Sequence, residues 1–120
     1  MDIYQQNILD HYKNPRYFGE IDDADHTKCL ENPSCGDKIC IATSCKFFRF
    51  SGSGCAISMA TADILLEYVI KNKLTFRQIL RLKKENILDL IKIDLQPVRL
   101  KCALLPLEVL QKMLAEIEKK

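Results

Sequence analysis

The sequence feature that most constrains the fold is an unbroken apolar segment in the middle of the chain. Residues 55–71 contain no proline and no glycine, and apolar side chains such as Ile57, Leu65 and Val69 recur on most faces of the helix they would form. A helix that is apolar on most faces is usually buried in a core. The rest of the chain must therefore supply elements that surround this segment.

Length and composition favour one compact domain over residues 1–120. The chain has 48% hydrophobic and 28% charged residues, and its four glycines and four prolines exclude a fibrous or linker-dominated protein. A net charge of +2 argues against a dedicated nucleic-acid binder, which would normally present a basic face. No uncharged apolar run approaches the ~18 residues of a membrane span, so no membrane association is expected.

Sequence patterns predict several further elements around the apolar helix. Helical spacing of apolar residues over 2–13 predicts an amphipathic helix, and a short strand is expected over 27–30. Residues 38–50 predict two antiparallel strands that meet near Ser44 and Cys45. One or two short helices are expected within 75–90. A closing amphipathic helix is expected from about Pro106, because proline suits the first turn of a helix.

Six cysteines, at positions 29, 35, 40, 45, 55 and 102, are the unusual part of the composition. The N-terminal residues have neither a basic stretch nor an apolar stretch typical of a secretion signal. We therefore expect a soluble, cytoplasmic protein, with an organelle matrix after processing as the alternative. Stable disulfides are not expected in such a compartment, so metal or sulfur chemistry is the leading interpretation of the cysteines.

Three of the cysteines occur in contexts suited to binding a metal. Cys35 and Asp37 flank a glycine in a turn-rich loop, and that glycine allows the thiol and the carboxylate to face one point. Cys55 stands at the predicted start of the apolar helix, where the helix dipole favours a thiolate. Cys102 follows Lys101. Three sulfurs and one oxygen could complete a zinc site or hold a small iron–sulfur cluster, but ordinary buried or capping cysteines remain an equal alternative.

Four ordered motifs resemble the U-type iron–sulfur scaffold family, which comprises IscU, the N-terminal domain of NifU, and SufU. The resemblance runs nearly end to end. The motifs are DHYKNPR at 10–16, with Tyr4 before it and Gly19 after it, NPSCGD at 32–37, GSGCAISMA at 52–60, and PVRLKCA at 97–103.

This resemblance implies an α+β fold in which a small antiparallel β-sheet is packed by several helices. It implies that Cys35, Asp37, Cys55 and Cys102 hold a transient 2Fe–2S cluster, or Zn²⁺ in the same site, and that Cys102 accepts a persulfide. The implied function is a scaffold and sulfur acceptor rather than a true enzyme. Its implied partners are a cysteine desulfurase and recipient apoproteins, with an iron donor or a chaperone in addition. A monomer or a weak dimer is expected.

The resemblance leaves two other functions open. Lys101 stands where IscU proteins have histidine, as in SufU, which suggests a zinc-dependent sulfurtransferase that relays persulfide sulfur. The 46 residues between Cys55 and Cys102, however, resemble the spacing of IscU or NifU. In the third alternative, zinc only stabilises the fold.

The remaining cysteines and both histidines are expected to have structural roles. Cys40 lies between Ile39 and Ile41 in a predicted strand, so we expect it to be a small buried hydrophobic residue. Cys29 and Cys45 match no ligand of the family. For His11, packing or a surface position is expected rather than metal binding, and His26 lies in none of the motifs.

Overall fold

The computed structural model describes residues 3–33, 36–44 and 47–118 and contains a sheet and five helices. Cys35 and Cys45 therefore lie outside the described residues. The elements in chain order are α1 (Ile3–Lys13), β1 (His26–Asn32), β2 (Asp37–Ser44), β3 (Phe47–Ser53), α2 (Ala56–Lys71), α3 (Phe76–Leu80), α4 (Lys84–Ile91) and α5 (Pro97–Glu118). The expected α+β class, with a small antiparallel sheet packed by helices, is confirmed.

The three strands form an antiparallel sheet in the order β1-β2-β3. Alternate residues of β2 point to opposite faces, so Ile39 and Ile41 are fully buried while Lys38 is exposed. On β3 the same alternation buries Phe48 and Phe50. The buried face packs on α2 and α5, and the other face is turned toward solvent.

Helix α2 lies in the core, as its sequence predicts. Nine of its sixteen residues are buried, and its central leucines pack against the inner face of the sheet and against α5. On its other side α2 packs against α1 and α4 through a smaller apolar cluster that contains Ile8, Ile64 and Ile91. Among the described residues, no helix combines the length and the apolar content needed to cross a bilayer.

The last helix begins nine residues earlier than the sequence pattern predicted. Pro97, rather than Pro106, stands at its first position, and Pro106 lies buried inside the helix. Proline within a helix removes one backbone hydrogen bond, and here the helix continues because its flanking turns are packed in the core. The consequence for the site is that Cys102 is part of a helix and not of the loop before it.

The expectation of no disulfide, and of a buried Cys40, is wrong. Cys29 and Cys40 face each other across the β1–β2 ladder and are joined by a disulfide. Since Ile39 and Ile41 point into the core, the residue between them points outward, and Cys40 is half-buried beside the exposed Cys29. Alternation along the strand therefore decides the environment of Cys40.

Candidate metal centre

Three of the four ligands implied by the sequence come together from three different elements. Asp37 is the first residue of β2, Cys55 immediately precedes α2, and Cys102 lies in the second turn of α5. One carboxylate oxygen and the two sulfurs all lie within 4.8 Å of one another. The fourth implied ligand, Cys35, lies outside the described residues, and Gly36 next to it has a φ of +74°. The sharp turn expected before Asp37 is therefore present.

Asp37 is held in place by the start of α2. Its carboxylate is only 2% exposed and its Oδ1 accepts a hydrogen bond of 3.0 Å from the backbone N–H of Cys55. Its Oδ2 lies 3.8 Å from Cys55 Sγ. A carboxylate at a helix N-terminus is stabilised by the unpaired N–H groups and by the helix dipole. The fold therefore positions a carboxylate oxygen donor beside a sulfur.

Cys55 occupies the N-cap position of α2 with extended backbone angles, φ −72° and ψ 168°. Its sulfur makes no capping hydrogen bond to the helix backbone, and it lies 3.8 Å from Ser58 Oγ. The Ser58 hydroxyl in turn donates to the carbonyl of Cys55 at 3.1 Å. Ser58 was not singled out from the sequence, although its place three residues after the N-cap could have indicated this contact. The Cys55 thiol is half-buried.

Two glycines allow this close approach of β2, β3 and α2. A Cβ at Gly54 would lie 2.9 Å from Asp37 Oδ1 and 2.5 Å from Ser58 Oγ. Gly52 has a φ of +126°, and a Cβ there would overlap the backbone carbonyl of Lys38. The motif around Cys55 therefore needs glycine because a side chain at either position would overlap neighbouring atoms, and not only because glycine is flexible.

Cys102 is the most deeply buried member of the group. Its side chain is fully covered, and its sulfur lies 3.7 Å from the carbonyl oxygen of Val98, one turn earlier in α5. Burial follows from its place on the face of α5 that packs against the sheet and α2. Of the two described cysteines in this group, Cys55 is thus more exposed than Cys102.

Arg99 supplies positive charge to the group. The pKa of Arg99 is raised above its usual value, first by a hydrogen bond to Cys55, then by the electrostatic interaction with that residue and, to a smaller extent, by Cys102. Lys38 and Lys101, the lysines next to Asp37 and Cys102 in the sequence, are exposed, as is Arg99 itself. Lys38 lies on the face of the sheet opposite to Asp37. Among these three cations, Arg99 is the one with a described interaction with the sulfurs of Cys55 and Cys102.

The donor set fits zinc. Tetrahedral zinc with sulfur at about 2.3 Å and oxygen at about 2.0–2.2 Å separates its donor atoms by roughly 3.4–3.8 Å. The separation of 3.8 Å between Cys55 Sγ and Asp37 Oδ2 is at the upper end of that range, and no two donor atoms of the group are more than 4.8 Å apart. Thiolate and carboxylate are also accepted ligands of iron.

A second group of potential ligands, His11, Asp63 and Glu67, lies between α1 and α2. His11 Nδ1 is 2.5 Å from Asp63 Oδ2, and its Nε2 is 3.6 Å from Glu67 Oε2. The buried Asp63 also accepts hydrogen bonds from the backbone N–H groups of Arg16 and Tyr17. Because each ring nitrogen already faces a carboxylate, this group connects the two helices as a set of ion pairs and hydrogen bonds.

The comparisons with known proteins cover almost the whole chain. The family model described as "NifU-like N terminal domain" matches residues 3–120. The zinc-dependent sulfurtransferase SufU of Bacillus subtilis is 33% identical over 136 aligned positions, which cover 97% of this chain and 92% of that protein. The iron–sulfur cluster assembly scaffold protein IscU of Escherichia coli K12 is 27% identical, with 98% of this chain and 95% of that protein covered.

Solved structures show the same fold. A crystal structure of a protein from Fervidobacterium islandicum, described as a putative iron–sulfur cluster assembly scaffold for the SUF system, has a TM-score of 0.71 and 25% identity. The structural match covers 91% of this chain and 94% of the Fervidobacterium chain. The N-terminal part of a NifU-like protein from Brucella abortus has a TM-score of 0.67 at 15% identity. That match covers 98% of this chain and 96% of the Brucella chain. That second likeness concerns the fold alone.

Proposed function

Because this chain belongs to the family of NifU-like N-terminal domains, we propose that it is a scaffold that assembles an iron–sulfur cluster and passes it on. In this proposal a cysteine desulfurase supplies the sulfur, a 2Fe–2S cluster is the cargo, and apoproteins receive it. Cys35, Asp37, Cys55 and Cys102 are the proposed ligands. The observation that carries the proposal is the convergence of Asp37, Cys55 and Cys102 from three elements.

The mixed donor set suits a cluster that has to be released. Carboxylate is a harder ligand than thiolate and binds the irons of a cluster less firmly than a fourth cysteine would. Asp37 is nevertheless well positioned, because Cys55 donates its backbone N–H to it. Three thiolates and one carboxylate carry a charge of −4, of which a 2+ cargo offsets half. The guanidinium of Arg99 lies where it can stabilise the remaining negative charge.

Sulfur acceptance is assigned to Cys102. Its thiolate would attack the outer sulfur of the desulfurase persulfide, form Cys102–S–SH after proton uptake, and release the desulfurase thiolate, so no external oxidant or reductant is consumed. Because Cys102 is fully buried, this transfer requires the first turns of α5 to move away from the site. Arg99, one turn earlier, provides a positive charge for the anionic sulfur before and after transfer.

A zinc-dependent sulfurtransferase is the second candidate, and two observations favour it. The relative from Bacillus subtilis carries that name and is 33% identical, and Lys101 rather than histidine precedes Cys102. Asp37, Cys55 and Cys102 would hold the zinc, which when bound orders the ligands and lowers the pKa of coordinated thiols. The alignment with that relative spans 136 positions against 120 residues here, so the relative contains residues that this chain lacks.

Anaerobic reconstitution tests the scaffold. The purified, reduced protein is incubated with ferrous iron, cysteine and a cysteine desulfurase, and its visible spectrum is recorded after gel filtration. We expect thiolate-to-iron absorption bands and about two irons and two sulfides per cluster. Asp37→Cys should give the same bands and release the cluster to an apoprotein roughly tenfold more slowly, because a fourth thiolate holds iron more firmly. A colourless wild-type product with intact thiols contradicts the proposal.

Persulfide mapping separates the two functions. The protein is incubated with desulfurase and cysteine, without iron, and alkylated persulfides are located by mass spectrometry. Loss of the persulfide in Cys102→Ser but not in Cys45→Ser supports the assigned acceptor. A persulfide that forms only when stoichiometric zinc is present, in a protein that yields no cluster, identifies the sulfurtransferase instead.

A further inference from the structure

Cys29 and Cys40 form a second thiol site, separate from the metal centre. They are direct partners in the β1–β2 ladder, and their side chains lie on the same, solvent-facing side of the sheet. The Cα atoms of Cys29 and Cys40 lie 4.0 Å apart, so the register brings the two side chains within reach of a disulfide. The structure contains that disulfide.

Both cysteines reach the surface of the protein. Cys29 is exposed and Cys40 is half-buried. On the same face their neighbours along the strands, Thr27, Glu31 and Lys38, are exposed as well. β1 is an edge strand of the sheet, so a small reactant can approach Cys29 from the face and from the edge.

The pair is also distinct from the proposed ligands. Cys40 follows Asp37 by three residues on β2, about 10 Å along a strand, and the two side chains point to opposite faces. Cys55 and Cys102 lie with Asp37. Oxidation or reduction at the Cys29–Cys40 pair therefore leaves the described thiols of the metal centre unconsumed.

We propose that Cys29 and Cys40 are a redox-active pair that exchanges electrons with low-molecular-weight thiols and disulfides, with Cys29 as the sulfur that reacts first. The Cys29 thiolate attacks a disulfide RSSR, gives a mixed disulfide Cys29–S–S–R, and releases one RSH. The Cys40 thiolate then attacks the Cys29 sulfur and releases the second RSH. Two protein thiols are oxidised by two electrons while RSSR is reduced by two, and reduction is the reverse sequence.

The order of attack follows from exposure and from the ladder. A thiolate reacts with an external disulfide at a rate that depends on access to its sulfur, and Cys29 has the better access. Cys40 is then the resolving thiol, because the strand register already holds it opposite Cys29. This proposal rests on the sheet alone and does not depend on the proposed function.

The test uses the full-length protein equilibrated in buffers with different ratios of reduced to oxidised glutathione. Free thiols are alkylated after an acid quench, and tryptic peptides covering 29–38 and 39–46 are assigned by fragmentation. We expect the two peptides to become joined through Cys29 and Cys40 as the buffer becomes more oxidising, and to separate again when it is made reducing. Cys45→Ser, a matched control on the second peptide, should behave in the same way.

The single variants test the order of attack. Cys40→Ser should accumulate one glutathione on Cys29, whereas Cys29→Ser should acquire it on Cys40 roughly fivefold more slowly. Absence of the joined peptides at every ratio, or equal rates at the two cysteines, overturns the proposal. If a variant fails to fold, as judged by circular dichroism, brief exposure of the wild-type protein to oxidised glutathione shows which cysteine is modified first.

Discussion

At the scale of single residues, the candidate metal centre depends on glycine, which has no side chain, at position 54. Gly54 leaves room for Asp37 and Ser58 to approach the start of α2, and the backbone N–H that follows it donates to the Asp37 carboxylate. A methyl group at this position would meet atoms of the donor set and of the serine that supports Cys55. Glycine at position 54 of the motif is therefore a steric requirement of the site.

The change Gly54→Ala should weaken zinc binding while the protein stays folded. A Cβ placed 2.9 Å from Asp37 Oδ1 forces the carboxylate away from Cys55, and we expect the zinc dissociation constant to rise about tenfold, or about 1.4 kcal/mol. Competition with a chromophoric chelator measures it. Ser53→Ala, at an exposed neighbouring position, is the control and should bind as the wild type does; equal affinity in both variants would show that Asp37 can move without cost.

At the scale of elements, the docking of α1 on α2 rests on one buried carboxylate. Asp63 is fully buried in α2 and contacts His11 of α1 as well as the backbone N–H groups of the two residues Arg16 and Tyr17. The segment that follows α1 also contacts Phe50 on β3. The carbonyl of Tyr17 accepts a hydrogen bond from the backbone N–H of Phe50, and the N–H of Gly19 donates to the carbonyl of Phe50. A single side chain thus connects the N-terminal helix, the following segment and the central helix.

Asp63→Ala should lower the free energy of unfolding by about 3–5 kcal/mol, because it leaves a histidine and two backbone donors without their buried acceptor. Urea unfolding followed by far-ultraviolet circular dichroism measures the change. Asp89→Ala, at an exposed position on α4, should change it by less than about 0.5 kcal/mol. A loss at Asp63 no larger than the loss at Asp89 would contradict this role.

Glu67, a second carboxylate of α2 that faces His11 of α1, predicts a loss of stability in acid. Burial alone raises the pKa of Glu67, but the hydrogen bond and charge of Lys71, with the charges of His11 and Arg16, outweigh it and lower the pKa below its ordinary value of 4.5. A carboxylate with a lowered pKa adds stability above the unfolded pKa and loses it as the pH falls through the folded one. Glu67→Gln should therefore lose less stability than the wild type between pH 6 and pH 3.

Unfolding midpoints in urea at a series of pH values measure this difference. The exposed pair of Glu108 and Lys112 provides the control: Glu108→Gln should retain the acid sensitivity of the wild type, because an exposed pair contributes little. Parallel pH profiles for the wild type and Glu67→Gln would argue against the assigned role of Glu67.

At the scale of the whole molecule, the candidate metal centre is a junction of elements that are far apart in sequence. β2, the N-cap of α2 and α5 contribute one described candidate ligand each. A metal that binds only the folded protein raises its apparent stability by mass action. The wider fold and the metal site should therefore stabilise each other.

Zinc should raise the melting temperature of the wild-type protein. At a free concentration of 100 times the dissociation constant the expected stabilisation is about 2.7 kcal/mol, or roughly 11 °C for a domain of this size. Differential scanning calorimetry measures it, with excess chelator as the reference. Cys55→Ser should show a clearly smaller shift, whereas Cys45→Ser should show the full one; identical shifts in all three proteins would place the zinc elsewhere.

The sequence alone determined most of the architecture, because local patterns report local structure. The all-round apolar segment predicted the buried α2, and the strand pair that meets near Ser44 is present as β2 and β3. Recognition of four motifs supplied the ligand set, of which Asp37, Cys55 and Cys102 are found together. The ligand roles of all four residues, and the role of Cys102 as persulfide acceptor, stay predictions.

Only the tertiary structure decided the rest, because those features depend on which segments meet. Pro106 has the sequence context of a helix start, yet packing of the surrounding turns carries α5 through it. Cys29 and Cys40 are eleven residues apart, and only the strand register makes them partners. The cation beside the sulfurs is Arg99 rather than Lys38, because alternation along β2 turns Lys38 to the opposite face of the sheet. Spacing along the chain identifies candidate residues, and the register and packing of the folded chain decide which of them touch.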